Sequence, residues 1–182
     1  MSKQTDTKYA ILGLLTTGCR TGYSIKQLID RSLNHFWKIS YGQIYPTLKQ
    51  LVEEGLATVT GTSQDGKPDK KEYFLTPKGE LELQTWLQAP IKEIPTEKNE
   101  VLLKLFFSRH QANDVTIRHL TVYKENLQER YNTYDTIEQI IRLHSTNHED
   151  AKYWLFTLDY GKRNAESAIE WCIATIDQLK EE

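Results

Sequence analysis

The chain has 182 residues and a mass of 21.2 kDa, enough for one ample core or two small ones and too short for a large multidomain enzyme. Its 23 basic and 25 acidic residues leave a net charge of −2, which excludes a polybasic, histone-like chain and means that nucleic-acid binding needs a local patch. Four Trp, ten Tyr and five Phe within a 38% apolar share mark a globular protein and not a disordered one.

The two cysteines, Cys19 and Cys172, stand at opposite ends of the chain, so neither a disulfide framework nor a thiolate zinc site is expected, and a reducing cytoplasm fits. The first apolar stretch, Tyr9 to Leu15, falls far short of the roughly 18 residues that cross a bilayer, so neither membrane insertion nor export is expected.

Tyr9, Ile11, Leu12, Leu14 and Leu15 predict a first helix that ends near Gly18. Thr21 can cap a second one, which carries Ile25, Leu28, Ile29 and Leu33 on one face. A third runs from Ser40 to Gly55 with Ile44, Leu48, Leu51 and Val52 inward, Gly42, Gln43, Lys49 and Gln50 outward, Ser40 as N-cap and Gly55 as terminating glycine. Pro46 opposes that helix at a cost of about 3 kcal/mol, so it should start late or bend there.

Leu56 to Thr60 and Glu72 to Leu75 read as strands of a hairpin, with Ser63 to Asp69 as a long polar tip. Thr76 before Pro77 opens a helix with Leu81, Leu83, Trp86 and Leu87. The order is that of a winged helix-turn-helix, expected over residues 1–88. Two prolines, Pro90 and Pro95, mark 89–96 as a linker. Charge divides across it, +2 before and −4 after, which points the first half toward an anionic partner.

Residues 97–182 are helical in pattern: Glu97 to Phe107, Ala112 to about Leu143, and about His148 to Leu179. In the last, Ala151, Trp154, Leu158, Gly161, Ala165, Ala168, Cys172, Thr175 and Leu179 recur at steps of three and four, the spacing of a coiled-coil seam. Such a helix is roughly 45 Å long, too long for the preceding segments to cover. A second subunit is the expected cover, with Gly161, Ala165 and Ala168 allowing close approach. The fold class is therefore mainly α with a small β-hairpin wing, a winged helix-turn-helix followed by an α-helical dimerisation domain.

Read in order, Gly22-Tyr23-Ser24-Ile25, Gln43-Ile44-Tyr45-Pro46-Thr47-Leu48 through Glu54-Gly55-Leu56, and Lys70-Lys71-Glu72-Tyr73-Phe74-Leu75-Thr76-Pro77-Lys78-Gly79 resemble the PadR family of bacterial transcriptional regulators. Glu100-Val101-Leu102-Leu103-Lys104-Leu105-Phe106-Phe107 and the closing Trp-containing helix resemble its longer branch, with the virulence-activator-type C-terminal domain of phenolic-acid regulators. The resemblance implies a cytoplasmic homodimer, most often a repressor, that sets two recognition helices on double-stranded DNA at a near-palindromic operator.

Gln43 and Lys49 can donate to base edges or phosphates, and Tyr23, Ser40, Tyr41, Tyr45 and Thr47 supply hydroxyls suited to phosphate. Lys67, Lys70 and Lys71 place cations on the hairpin, where counterion release favours binding. The wing departs from the arginine-rich pattern of many relatives and interleaves Asp65, Asp69 and Glu72, so phosphate contact is expected there in place of minor-groove reading.

The resemblance also implies an effector pocket for a small aromatic ligand between the two parts, with Phe36, Trp37, Trp86, Tyr153 and Trp154 as candidates and Arg109, Arg118 or Arg163 to pair a carboxylate. Ordinary packing accounts for the same aromatics. His144 and His148 lack a third ligand, so no metal and no cofactor is expected. The chain lacks G-x-S-x-G, P-loop, Rossmann and H-E-x-x-H motifs, and no catalytic residue is proposed. The alternative is a dimeric interaction scaffold whose winged helix binds protein.

Overall fold

A computed structural model describes residues 3–33, 36–64, 67–91, 98–145 and 148–181, with side chains described outside 3–6 and 62–70. Two compact units divide it, Met1–Ile94 and Pro95–Glu182.

The first unit holds α1 (Lys3–Thr16), α2 (Gly22–Arg31), α3 (Tyr41–Glu53), β1 (Ala57–Gln64), β2 (Lys67–Leu75) and α4 (Pro77–Gln88). Its core gathers Ile11, Leu12, Ile25, Ile29, Ile44, Leu48 and Leu51 from the three leading helices, closed by Leu56 and Tyr73 at the base of the wing. Thr21 starts α2 through a reciprocal cap, its Oγ1 accepting from the Ser24 amide and its own amide donating to Ser24 Oγ, each at 3.0 Å.

Helix α3 starts at Tyr41 and continues through Pro46, so the late start that the proline suggested does not occur. The missing amide leaves the Gly42 carbonyl without its helical donor, and Gly42 is exposed, so solvent can satisfy that oxygen. The helix stops in a Schellman turn: Leu56 N donates to Leu51 O (2.8 Å) and Gly55 N to Val52 O (3.0 Å), with Gly55 at φ +70°.

The strands pair antiparallel from Ala57↔Leu75 out to Gln64↔Lys67, with a register irregularity between Thr62 and Gln64. The long polar tip expected at Ser63 to Asp69 is thus mostly ladder, and its connection narrows to Asp65-Gly66, which lies outside the described residues. Composition misled there because an isolated two-stranded ribbon has two edges, and polar residues and Pro68 are tolerated on them. Tyr73 N also donates to Arg20 O (2.7 Å), which ties the wing to the turn before α2. Of the expected linker, only Ala89, Pro90 and Ile91 are described.

The second unit holds α5 (Glu100–Phe106), a 3-10 turn (Ser108–His110), α6 (Asn113–His144) and α7 (Ala151–Glu181). Helix α5 starts at Glu100 and not at Glu97, because Asn99 caps it by accepting from the Val101 and Leu102 amides. Helices α6 and α7 form an antiparallel hairpin. Asn113 Nδ2 reaches Leu179 O (3.4 Å) at one end, and Lys162 Nζ meets Asp135 Oδ1 (2.8 Å) and Glu138 Oε2 (3.0 Å) further along.

That hairpin takes part of the expected intersubunit seam into the chain's own core. Ala165 is 3% exposed and Cys172 wholly buried, within the chain, and Cys172 joins Leu120, Leu127 and Ile176 in one cluster. A Cβ at Gly161 would come 2.8 Å from the Tyr134 ring of α6. Trp154, Leu158, Ala168 and Leu179 are half-buried on the same helix. The shortfall of cover is smaller than expected, because α6 has 32 residues against 31 in α7 and runs along it, burying Ala151, Ala165 and Cys172 and leaving the other seam residues half-buried. What α7 leaves outward is a different row, Tyr153, Phe156 and Tyr160, all exposed.

Candidate nucleic-acid interface

Helix α3 buries Ile44, Thr47, Leu48 and Leu51 and turns Tyr41, Gly42, Tyr45, Pro46 and Lys49 outward. Thr47 is 6% exposed, which removes it from the expected hydroxyl contacts. It lies three residues after Ile44 and four before Leu51, in the middle of the buried stripe, so polarity and not spacing had placed it outside. Gln43 is half-buried as well, and its Oε1 accepts the Ser40 amide at 3.1 Å, so the side chain is held as part of the cap with only Nε2 left to donate outward. Gln50, also expected outward, instead donates to Glu54 Oε1 (2.7 Å).

The remaining candidates on this face are exposed. Tyr45, 61% exposed, lies across the start of α2, where a Cβ at Gly22 would come 2.6 Å from its ring. Tyr23 accepts from Gln27 Nε2 at 2.9 Å one turn along α2. Ser40 stands at the N-terminus of α3, and Lys49 pairs loosely with Glu53 at 3.5 Å, an exposed pair that a phosphate can replace at little cost. Tyr41 donates its hydroxyl to Asp30 of α2, under the Lys26 ammonium, 4.3 Å from the ring centroid. On the wing, Lys71 is exposed on β2, while the side chains of Lys67 and Lys70 lie outside the described residues.

Behind this face, the end of α3 is gripped by a charged cluster that spacing could not reveal, since its members lie far apart in sequence. Lys8 of α1 reaches Glu54 Oε2 (2.9 Å) and Glu82 Oε1 of α4 (3.2 Å). Tyr9 donates to the same Glu82 oxygen (3.1 Å), and Lys78 Nζ to the Glu54 carbonyl (2.7 Å). The hydrogen bond from Lys8 holds both carboxyls below the usual range. Burial pulls the Lys8 ammonium down, but its bonds to Glu54 and Glu82 outweigh that, and the net shift is upward.

The aromatic candidates for an effector are spread through both units. Trp86 stacks on Tyr9 (4.7 Å between centroids) and Trp154 packs on His148 (4.6 Å), so both serve local packing. Phe36, Trp37 and Tyr153 are exposed, the last edge-on to Phe156. Arg118 and Arg163 pair with Asp114 and Asp159 on their own helices, and Arg109 donates to His110. Within the second unit, an open cleft of about 320 Å³ is lined by Leu103, Lys104, Phe107, His110, Gln111 and His119, none of them expected from the sequence. Among the described residues there is no group of three metal-ligating side chains and no helix long and apolar enough to cross a membrane.

Fold and surface together define a winged helix-turn-helix transcriptional regulator, joined to an α-helical C-terminal unit. Residues 11–85 match the transcriptional regulator PadR-like family, and residues 97–180 match the virulence activator alpha C-terminal domain. The negative transcriptional regulator PadR of Bacillus subtilis (strain 168) is 43% identical over 129 residues, which span 68% of this chain and 66% of that protein. Its crystal structure in complex with operator DNA superposes with a TM-score of 0.83 at 29% identity, covering 95% of this chain and 98% of the other. The crystal structure of the same protein in complex with p-coumaric acid gives 0.77 at 27% identity, with 95% and 98% covered. The chain belongs to the PadR-like family of transcriptional regulators, a DNA-binding and not an enzymatic class.

Proposed function

We propose that this regulator acts as a homodimeric repressor in the cytoplasm, residues 1–88 docking α3 into the major groove and residues 97–182 holding the dimer across the 89–96 linker. The observation that carries the reading is the outward face of α3, with exposed Tyr41, Tyr45 and Lys49 and Ser40 at its start, together with exposed Tyr23 on α2 and Lys71 on the wing, on a unit of charge +2. A relative of the same fold that binds operator DNA supports it. Two recognition helices must then meet half-sites about 34–36 Å apart, centre to centre.

Because Gly161, Ala165 and Cys172 are used inside the chain, the dimer contact falls to the outward row of α7, Tyr153, Phe156 and Tyr160, with half-buried Trp154, Leu158, Ala168 and Leu179 on the same helix. A small aromatic acid is the proposed effector, by analogy with the relative that binds p-coumaric acid. It would act by changing the spacing of the two DNA-binding units, since both helices must dock at once.

The test is a fluorescence-anisotropy titration with duplex from the chain's own upstream region against shuffled duplex, at two salt concentrations. Sequence-dependent, salt-sensitive binding is expected. Replacing Lys70 and Lys71 together by alanine should weaken binding to both duplexes and flatten the salt slope by about one for each phosphate no longer neutralised. Equal, feeble binding of both duplexes, with and without phenolic acids and over the whole upstream region, would overturn the reading.

A further inference from the structure

The exposed surface of α2 carries, at Asp30, a charge that runs against DNA binding. Asp30 stands on α2 and accepts the hydroxyl hydrogen of Tyr41, the first residue of α3, while Lys26 lies over the Tyr41 ring. Asp30 and Tyr41 are both exposed, the tyrosine to 48%.

The hydrogen bond to Asp30 raises the Tyr41 phenol above its usual range, so the proton stays on the phenol and stays directed at the carboxylate. A phenol has one hydrogen; once it is given to Asp30, the oxygen offers lone pairs only, as the carboxylate does. Phosphate oxygens are also acceptors, so this pair repels the DNA backbone, and the phosphate contact expected of the Tyr41 hydroxyl does not form while the pair is intact. The major groove does present donors that suit it, the exocyclic amino groups of cytosine N4 and adenine N6.

We propose that Asp30 and Tyr41 form an acceptor pair that reads one such amino group in each half-site, with Lys26 fixing the ring and offsetting the carboxylate's repulsion of nearby phosphates. The inference rests on the reading of α3 as the helix that docks on DNA. It assigns a base-reading role to α2 and makes Asp30 a determinant of specificity at the expense of general affinity.

Duplexes enriched from a randomised pool by the full-length protein, by Asp30→Ala and by Tyr41→Phe test it, with anisotropy measured on the wild-type-enriched duplex and on a shuffled one. The wild-type profile should hold one position per half-site restricted to cytosine or adenine. Asp30→Ala should lose that restriction, bind shuffled duplex more tightly, and discriminate roughly tenfold less. Tyr41→Phe keeps the ring, removes the acceptor, and should relax the same position. If Asp30→Ala keeps the wild-type profile and tightens both duplexes by the same factor, the carboxylate is only a charge and the proposal fails while α3 docking stands. If the wild-type protein enriches nothing, α3 docking fails and takes the proposal with it.

Discussion

Replacing Gly79 by alanine inside a helix would normally help by about 1 kcal/mol. Here the sign should reverse. Gly79 lies in the first turn of α4, and a Cβ built on it would stand 2.1 Å from the Leu56 carbonyl oxygen and 2.8 Å from Leu75 Cδ1. The nearer obstacle is backbone, so α4 and the start of the wing must part by roughly 1 Å to reach ordinary contact. Two hydrogen bonds hold that junction, Thr76 N to Leu56 O (3.0 Å) and Thr76 Oγ1 to Gly55 O (2.8 Å). Overpacking costs about 1–3 kcal/mol, and strained hydrogen bonds lose about 1 kcal/mol between them. With the propensity gain subtracted, Gly79→Ala should destabilise the first unit by about 2 kcal/mol. The assay is urea unfolding in a background where Trp37, Trp154 and Trp171 are phenylalanine, so that Trp86, stacked on Tyr9, reports the first unit. With a slope of about 1–1.5 kcal/mol/M, the midpoint should fall by roughly 1.5 M. A variant as stable as its parent would refute the close approach of α4 to Leu56.

The Lys8 cluster makes stability depend on pH in a definite direction. Glu54 and Glu82 are depressed in the folded state, so their contribution is complete above the unfolded carboxylate pKa and is lost as pH falls through the lower folded values. Lys8→Met should therefore cost about 1–2 kcal/mol at pH 7 and much less at pH 3, measured by urea unfolding at both. Ala165→Glu places a carboxylate against α6 and should lower the melting temperature of the second unit, by calorimetry, and not simply split a dimer; an unchanged transition would mean that α7 does not bury this face. Cys172 is wholly buried, and burial pushes its thiol up, so native protein treated with a thiol reagent should react at the half-buried Cys19 and spare Cys172 until unfolded. Rapid labelling of both would show that the hairpin opens readily.

Spacing made the helices and their caps legible. Ile25 and Ile29, Ile44, Leu48 and Leu51, Thr21, Gly55 and the Thr76-Pro77 pair each act within a turn or two of chain, and periodicity reports such local physics directly. The same one-dimensional signal misplaced Thr47, because a hydroxyl on the buried stripe looks polar until its neighbours at three and four residues are weighed. It also could not see the 57–75 ladder extending into polar sequence, since a free-standing ribbon gains its pairing without an apolar face.

What the sequence by itself determined is the order of elements, the winged helix-turn-helix, the apolar seam of α7 and the family. What only the tertiary structure decided is which surfaces meet. The seam residues Gly161, Ala165 and Cys172 face α6 of their own chain, Lys8 joins Glu54 and Glu82 across three helices, and Asp30 accepts a hydrogen bond from the Tyr41 hydroxyl of another helix. Helical spacing gives the direction in which a side chain leaves its own axis. It says nothing of what stands opposite, because that depends on how whole elements pack.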